Sequence, residues 1–300
     1  MIDRYLLRYF LAVMDTGNFT RAAAHCRVSQ PTLSVGVAKL EAMIGKPLFN
    51  RTNRRVELTT AGARFAHHAR RIEAEFAAAE RSAREEAQVR ITRLGVVSTL
   101  PSAWIGAALR AVRDDAPAAN SLEIIEGRGR DLRQQIERGG IDALLCDLGE
   151  DRASGTLLFE EDYAVALPAD HRLAGRDTIG ADELGGEPMI VRRHCEALAD
   201  VSRHFTQRGI RPFMAARTVN DDRACAYVRS GLGITVMPRC FAGEGIAMAA
   251  LSGFGLRRAM GLLVAPSAAD RLQGDEAFRL FVEGIRRAAA LSAAGKHASG

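Results

Sequence analysis

Apolar positions recur at helical spacing over the first ninety residues and then fall mostly into short runs of strand length. Leu7, Phe10, Leu11 and Met14 form one face of a helix that ends near Thr16-Gly17, where glycine suits a C-terminal cap. Asn18 is placed to cap a second, short helix over residues 19–24, whose Ala22 and Ala23 admit a close neighbour. Leu33, Val37, Leu40 and Ile44 mark a third helix. Ser29 is its cap, Pro31 sits in the first turn where an absent N–H costs no internal bond, and Gly45 and Pro47 end it. Its other face carries mainly small residues, with Gly36 in the middle. The short turn between the second and third helices has the spacing of a helix-turn-helix.

Residues 48–59 then read as a short hairpin in which Val56 and Leu58 alternate with polar neighbours, and Thr52-Asn53 form the tip beside Arg51, Arg54 and Arg55. A long helix follows from Thr60. Phe65, Ala69, Ile72, Phe76, Ala79 and Ala83 repeat at alternating steps of four and three, a heptad seam bordered by Glu and Arg. With alanine at half of its positions, close helix–helix dimerisation is expected in preference to packing on the protein's own body. From Arg90 onward, strands alternate with helices, which predicts α/β units around a mainly parallel sheet. Strands are expected at 91–97, 122–125, 142–145, 159–167, 189–191, 215–219, 233–237 and 256–264. Helices are expected at 101–113, 131–138, 196–207, 221–230 and 275–289.

Composition is that of an ordinary globular chain of 300 residues, 47% hydrophobic and 26% charged, long enough for about two domains. No apolar run reaches the ~18 residues of a membrane span, and no signal-peptide cleavage site is apparent, so the chain reads as cytoplasmic. Five cysteines without paired CxxC spacing argue against a disulfide framework or a zinc site, and neither a metal nor a cofactor is expected. Charge is unevenly placed. Residues 1–64 carry a balance of +6, residues 65–90 of zero, and the remainder of −1. A polyanion-binding segment attached to an electrically ordinary body fits that asymmetry.

Ligands of open α/β sheets bind beyond the carboxyl ends of strands, near helix N-termini. That rule selects Ser98-Thr99-Leu100, Arg192-Arg193-His194-Cys195, and Thr218 to Asn220. Ser98 and Thr99 could cap the helix that begins at Pro101, or offer their hydroxyls to a carboxylate. Arg192 and Arg193 could complete such a site or be surface charge. Cys195, at a helix start beside Arg and His, is also a candidate redox thiol, although no second cysteine lies near it in sequence. Cys146 and Cys225 fall inside apolar patterns and read as inert packing. Gly127-Arg128-Gly129 and Gly231-Leu232-Gly233 read as turns, since GxG alone is a weak signal.

The N-terminal residues, taken in order, resemble the LysR-type transcriptional regulators. The match runs through Gly17-x-Phe19-Thr20-x-Ala22-Ala23, Val28-Ser29-Gln30-Pro31-x-Leu33-Ser34, Leu40-Glu41, Gly45, Leu48-Phe49, Arg51, Leu58-Thr59 and Ala61-Gly62. A weaker likeness covers residues 90–290. The resemblance implies a winged helix-turn-helix (1–59), a linker and dimerisation helix (60–89) and a two-lobed α/β effector-binding domain like periplasmic solute-binding proteins (90–292). In that arrangement lobe one is 90–160 with 265–292, lobe two is 161–264, the crossovers lie near 159–163 and 262–266, and 293–300 is a disordered tail. Gln30, Pro31, Thr32, Ser34 and Lys39 then lie on the helix that enters the major groove, with Thr20, Ser29 and Val35 beside them and Arg51, Arg54 and Arg55 on the wing. Effector contacts fall to Ser98, Thr99, Leu100, Arg192, His194, Cys195 and Asn220. Implied partners are double-stranded DNA, a small and anionic effector, and further copies of the chain, as a homodimer or a tetramer built as a dimer of dimers. Two positions depart from the family's pattern: Val35-Gly36 replaces larger polar or basic residues, and Cys26 a bulky aliphatic one.

Two other classes compete with that reading. An α/β enzyme finds no support, because the chain has no G-x-S-x-G elbow, Walker loop or HExxH. A non-specific polyanion-binding module would show steep salt dependence without sequence preference.

Overall fold

The computed structural model describes residues 2–51, 56–84, 91–116 and 122–294. Its helices and strands run α1 (Arg4–Thr16), α2 (Phe19–Cys26), α3 (Gln30–Ile44), β1 (Phe49–Arg51), β2 (Val56–Leu58), α4 (Thr60–Arg84), β3 (Thr92–Val97), α5 (Ser102–Asp115), β4 (Leu122–Gly127), α6 (Gly129–Glu137) and β5 (Ala143–Asp147). They continue with β6 (Thr156–Pro168), β7 (Thr178–Ile179), β8 (Met189–Arg192), α7 (Leu198–Thr206), β9 (Met214–Thr218), α8 (Asp221–Arg229), β10 (Thr235–Pro238), β11 (Ile246–Leu251), β12 (Arg257–Val264), α9 (Ala269–Gln273) and α10 (Glu276–Ala294). Two compact units result. One runs from the N-terminus through α4 and takes in Gln134–Gly140, and the other holds the rest.

In the first unit the caps fall where their residue types place them. The Asn18 side chain accepts from the Arg21 amide and Ser29 from that of Thr32, and Gly17 and Gly45 close α1 and α3 in the left-handed conformation. Leu6, Phe10, Val13, Ala22, Leu33, Val37 and Leu40 are fully buried together, with Phe49 tilted against Phe10. Glu41 fastens α3 to the hairpin, its Oε1 accepting from the amides of Leu48 (2.8 Å) and Phe49 (3.2 Å). Two glycines mark close approaches. A Cβ on Gly62 would lie 2.1 Å from the Leu48 carbonyl oxygen, and one on Gly36 would lie 2.6 Å from the Tyr9 ring. The hairpin tip (52–55) and residues 85–90 lie outside the described residues.

The second unit is built on the strand order β4-β3-β5-β12-β6-β11-β7, with β10 also paired to β6, and a separate parallel pair β8-β9. The expectation of a mainly parallel sheet is corrected. β3 pairs in parallel with β4 and β5, but β12, β10 and β11 all run antiparallel to their neighbours β5 and β6. β6, at 13 residues, pairs along its first half with β12 and at its far end with β10 and β11, and each of these later strands runs back against it. β12 pairs with β5 on one side and, from Arg257 onward, with the first half of β6 on the other. The expected strand 233–237 shrinks to β10, and β7 and β11 were not anticipated at all. On the outer face α10 lies on α5, where a Cβ on Gly284 would come within 2.7 Å of the Ala108 Cα. α10 runs on to Ala294, past the expected start of the tail, and 295–300 are outside the described residues.

Gly36→Val should lower the stability of the first unit by about 1–3 kcal/mol, the usual cost of overpacking. In a Tyr9→Ala background most of that loss should disappear. Urea denaturation of the four proteins of this cycle reads the coupling directly, and an unchanged penalty would place the constraint elsewhere.

Candidate functional site

α3 divides its residues between two faces. Leu33, Val37 and Leu40 are fully buried, and Gly36 lies beneath Tyr9. Gln30, Pro31, Thr32, Val35, Ala38 and Lys39 are exposed, and Ser34 is half-buried. The glycine thus serves the contact between α3 and α1 and is buried from the exposed face. Val35 is 69% exposed, an apolar side chain with no core to fill. Ser29 and Thr32 share a hydrogen bond between hydroxyls (2.7 Å) at the helix start. Lys39 Nζ donates to the Tyr5 hydroxyl (3.2 Å), which steadies it beside α1. Thr20 is exposed on α2. Arg54, Arg55 and the side chain of Arg51 lie outside the described residues.

The heptad seam of α4 is split. Phe65 and Ala69 pack into the first unit's core, whereas Ile72 and Phe76 remain 42% and 44% exposed and Ala79 is exposed as well. The Arg4 guanidinium covers part of the Phe76 ring at 4.6 Å and is held by Glu73 (3.1 Å) and Glu80. The Ala83 side chain lies outside the described residues.

In the second unit the carboxyl ends of β3, β4, β5 and β8 open into one cleft of about 440 Å³. Ser98 and Thr99 follow β3, Gly127-Arg128-Gly129 join β4 to α6, Asp147 closes β5, and Arg193 and His194 follow β8. Arg133, one turn into α6, also lines the cleft. Its Nε binds Asp151 (2.9 Å) and its Nη2 binds the Asp147 carbonyl (2.6 Å). Arg130 pairs loosely with Asp131 (3.5 Å). Arg128 and Arg193 have no ion pair or side-chain hydrogen bond among the described residues. His194 Nδ1 is buried without a partner. Burial and then the positive charge of Arg128 lower the His194 pKa, which keeps the ring neutral at pH 7.

Of the residues selected from the sequence, Ser98, Thr99, Arg193 and His194 meet in this cleft. Leu100 is buried. Asn220 is exposed and caps α8, its side chain accepting from the Arg223 amide (2.8 Å). Arg192 and Cys195 line a different, mostly apolar cavity of about 490 Å³ beside α7. The alternative role of Ser98 and Thr99 as caps is not realised, because Pro101 takes the N-cap position and no side chain caps α5. Arg128, Arg133 and Glu196 escaped the sequence reading. Gly127-Arg128-Gly129 at the end of a strand was the available signal.

Two buried guanidinium groups fix the walls. Arg192 Nε donates to Asp221 (2.6 Å), a second bond joins the same pair, and its Nη1 reaches Val236 O (3.2 Å) and Cys195 Sγ (3.1 Å). Arg258 on β12 is 1% exposed. It binds Glu161 on β6 (2.8 and 3.0 Å), the Thr99 carbonyl (3.1 and 3.2 Å), Thr99 Oγ1 (3.3 Å) and Glu196 (2.8 Å). Burial disfavours the Glu196 charge, but Arg258 outweighs it and lowers that carboxyl's pKa. The thiols behave oppositely. Burial raises Cys195, only partly offset by Arg192, and pushes Cys146 up to about 11.

A helix-turn-helix with a hairpin beside it, followed along the chain by a long helix and an α/β unit with a ligand-sized cleft, is the build of a DNA-binding transcription regulator. Residues 5–63 match the family described as bacterial regulatory helix-turn-helix protein, lysR family, and residues 86–290 match the LysR substrate binding domain. The chain belongs to the LysR family of transcription regulators, which are not enzymes. Among its relatives, a probable hydrogen peroxide-inducible genes activator of Mycobacterium avium is 32% identical over 239 residues, covering 78% of this chain and 76% of the relative. The DNA-binding transcriptional dual regulator OxyR of Escherichia coli is 26% identical, covering 77% of each. Two solved structures share the fold. A cysteine mutant of Corynebacterium glutamicum OxyR has TM-score 0.53 at 21% identity over 99% of this chain and 97% of that one, and a full-length BenM mutant has 0.51 at 22% over 97% of both. No helix among the described residues is long and apolar enough to cross a membrane.

Asp221→Asn should destabilise the second unit by about 3–5 kcal/mol, because it strands a buried guanidinium. The double change Arg192→Met with Asp221→Leu should recover most of the loss. Urea denaturation of both variants checks this, and equal losses would show that shape rather than charge is what matters there.

Proposed function

We propose that residues 1–59 bind a specific double-stranded DNA sequence through α3 and the basic wing, that residues 60–89 pair two copies of the chain, and that residues 90–292 sense a small anionic ligand. The ligand lies between one lobe of 90–160 with 265–292 and another of 161–264. Family membership, the basic balance of the first sixty-four residues and the exposed polar face of α3 support the DNA role. Gln30 can pair with an adenine edge, Thr32 and Ser34 with donors or acceptors, and Val35 can meet a thymine methyl. Exposed Ile72, Phe76 and Ala79 support pairing through α4, with two dimers forming a tetramer. The observation that carries the sensor reading is the presence in one cleft, with Ser98 and His194, of Arg128 and Arg193, which have no ion pair among the described residues. DNA as the target makes the cytoplasm the site of action. Control requires that the ligand prefer one of two arrangements of the protein.

A second reading has one specific support, the peroxide-responsive names of several relatives together with Cys195. Against it, the Cys195 thiol is buried and its pKa is raised, which suppresses the thiolate that peroxide oxidises. Mass spectrometry after mild peroxide should find Cys195 reduced at doses that leave the response of a reporter gene under this protein's control unchanged. Stoichiometric oxidation that tracks the response would favour the second reading.

Selection from random DNA should enrich one motif at physiological salt. Gln30→Ala and Val35→Ala should relax preference at single positions by about 1–3 kcal/mol each, whereas Arg54→Ala should weaken all sequences alike and flatten the salt dependence. Absence of any enriched motif, or the same uniform loss for all three variants, would contradict these roles.

A further inference from the structure

We infer that the ligand of the cleft is a small dianion, a dicarboxylate or a phosphate monoester, that bridges Arg128 and Arg193. The inference rests on the sensor reading above and narrows its chemistry. Four guanidinium groups line the cleft, those of Arg128, Arg130, Arg133 and Arg193, against the carboxylates of Asp147 and Glu196. Both carboxylates are already engaged, Asp147 Oδ1 by the Ala259 amide (2.9 Å) and Glu196 by Arg258 (2.8 Å). Arg133 has Asp151 and Arg130 has Asp131. Two positive charges are left without counter-charge among the described residues, one on the β4–α6 turn and one after β8.

A monoanion answers one of these charges and leaves the other facing it. A dianion answers both, and in doing so links the turn after β4 to the segment after β8, which line the cleft together. Arginine at both positions favours planar, multi-oxygen groups, because the guanidinium fork matches carboxylate and phosphate oxygens in pairs. His194 supplies a third contact. It lines the same cleft, and its buried Nδ1 has no hydrogen-bond partner among the described residues, so a small rotation of the ring would let it meet the ligand. The first turn of α6, at Gly129 and Arg130, adds the positive end of a helix dipole. A volume of about 440 Å³ admits a short-chain or single-ring ligand.

Calorimetry on the full chain at pH 8 and matched ionic strength tests this with succinate, phthalate and phenyl phosphate, each beside its monoanionic methyl ester. At least one dianion should bind roughly tenfold or more tightly than its ester, the worth of one charge-assisted contact. Whether a carboxylate or the phosphate leads then identifies the source. Arg128→Gln and Arg193→Gln should each bring the dianion down to the level of its ester, while melting temperature stays within a few degrees. Equal affinity for dianions and esters, lost in the double variant, would overturn the dianion inference and leave the anion-sensing cleft standing. Binding of no anion above the double variant would overturn both.

Discussion

The second unit depends on a charge that the fold has enclosed. Arg258 is removed from water on β12, and its guanidinium must be answered on every side or the enclosure is prohibitively costly. Glu161 answers it from β6, the strand beside it. Thr99 answers from the turn after β3, and Glu196 from the turn before α7. One side chain therefore fixes the register of the two long strands and the position of two cleft-lining segments. Glu161 extends the arrangement, because its second oxygen accepts the Cys240 amide (2.8 Å). Low local dielectric makes such a network strong when complete and unforgiving when broken.

That network explains how the cleft divides its labour. Charges that hold walls in place are spent on one another, as with Arg192 and Asp221, or Arg258 with Glu161 and Glu196. Charges that face the opening on Arg128 and Arg193 are not. A cleft whose walls are already satisfied is organised in advance, so a ligand bound there would meet low ordering costs. The first unit reaches a comparable division by other means. Leu33, Val37 and Leu40 anchor α3, and Gly36 lets α1 approach it, which leaves the remaining face free of structural duties.

How legible was this from residues alone? Nearly every helix and its caps were, because Asn18, Ser29, Gly17 and Gly45 act on their own neighbours in sequence. The winged helix-turn-helix and the alternation of strands and helices followed from period and punctuation. Sheet direction did not follow, since β6 pairs with partners nearly a hundred residues away and nothing within residues 156–168 states which way they run. Nor did the role of Arg192. A strand-end arginine beside His194 and Cys195 looked like a ligand contact, and only Asp221 on α8 turned it inward. Arg128 is hidden for the opposite reason: its two flanking glycines mark a turn, and only the tertiary structure brings three other strand ends to it.

By itself, the sequence determined everything set by local physics: where helices begin and end, which faces are apolar, and that positive charge gathers in the first sixty-four residues. Its ordered motif was also long enough to indicate a LysR-type regulator. Tertiary structure alone decided which charged groups are paired and which are left open. Pairing between groups such as Arg258 and Glu161 depends on distances across the fold, and Coulombic and hydrogen-bond energies depend on those distances and on burial rather than on separation along the chain. The same holds for Gly36. Its place in α3 was readable from the sequence, but its purpose became visible only with the Tyr9 ring against it.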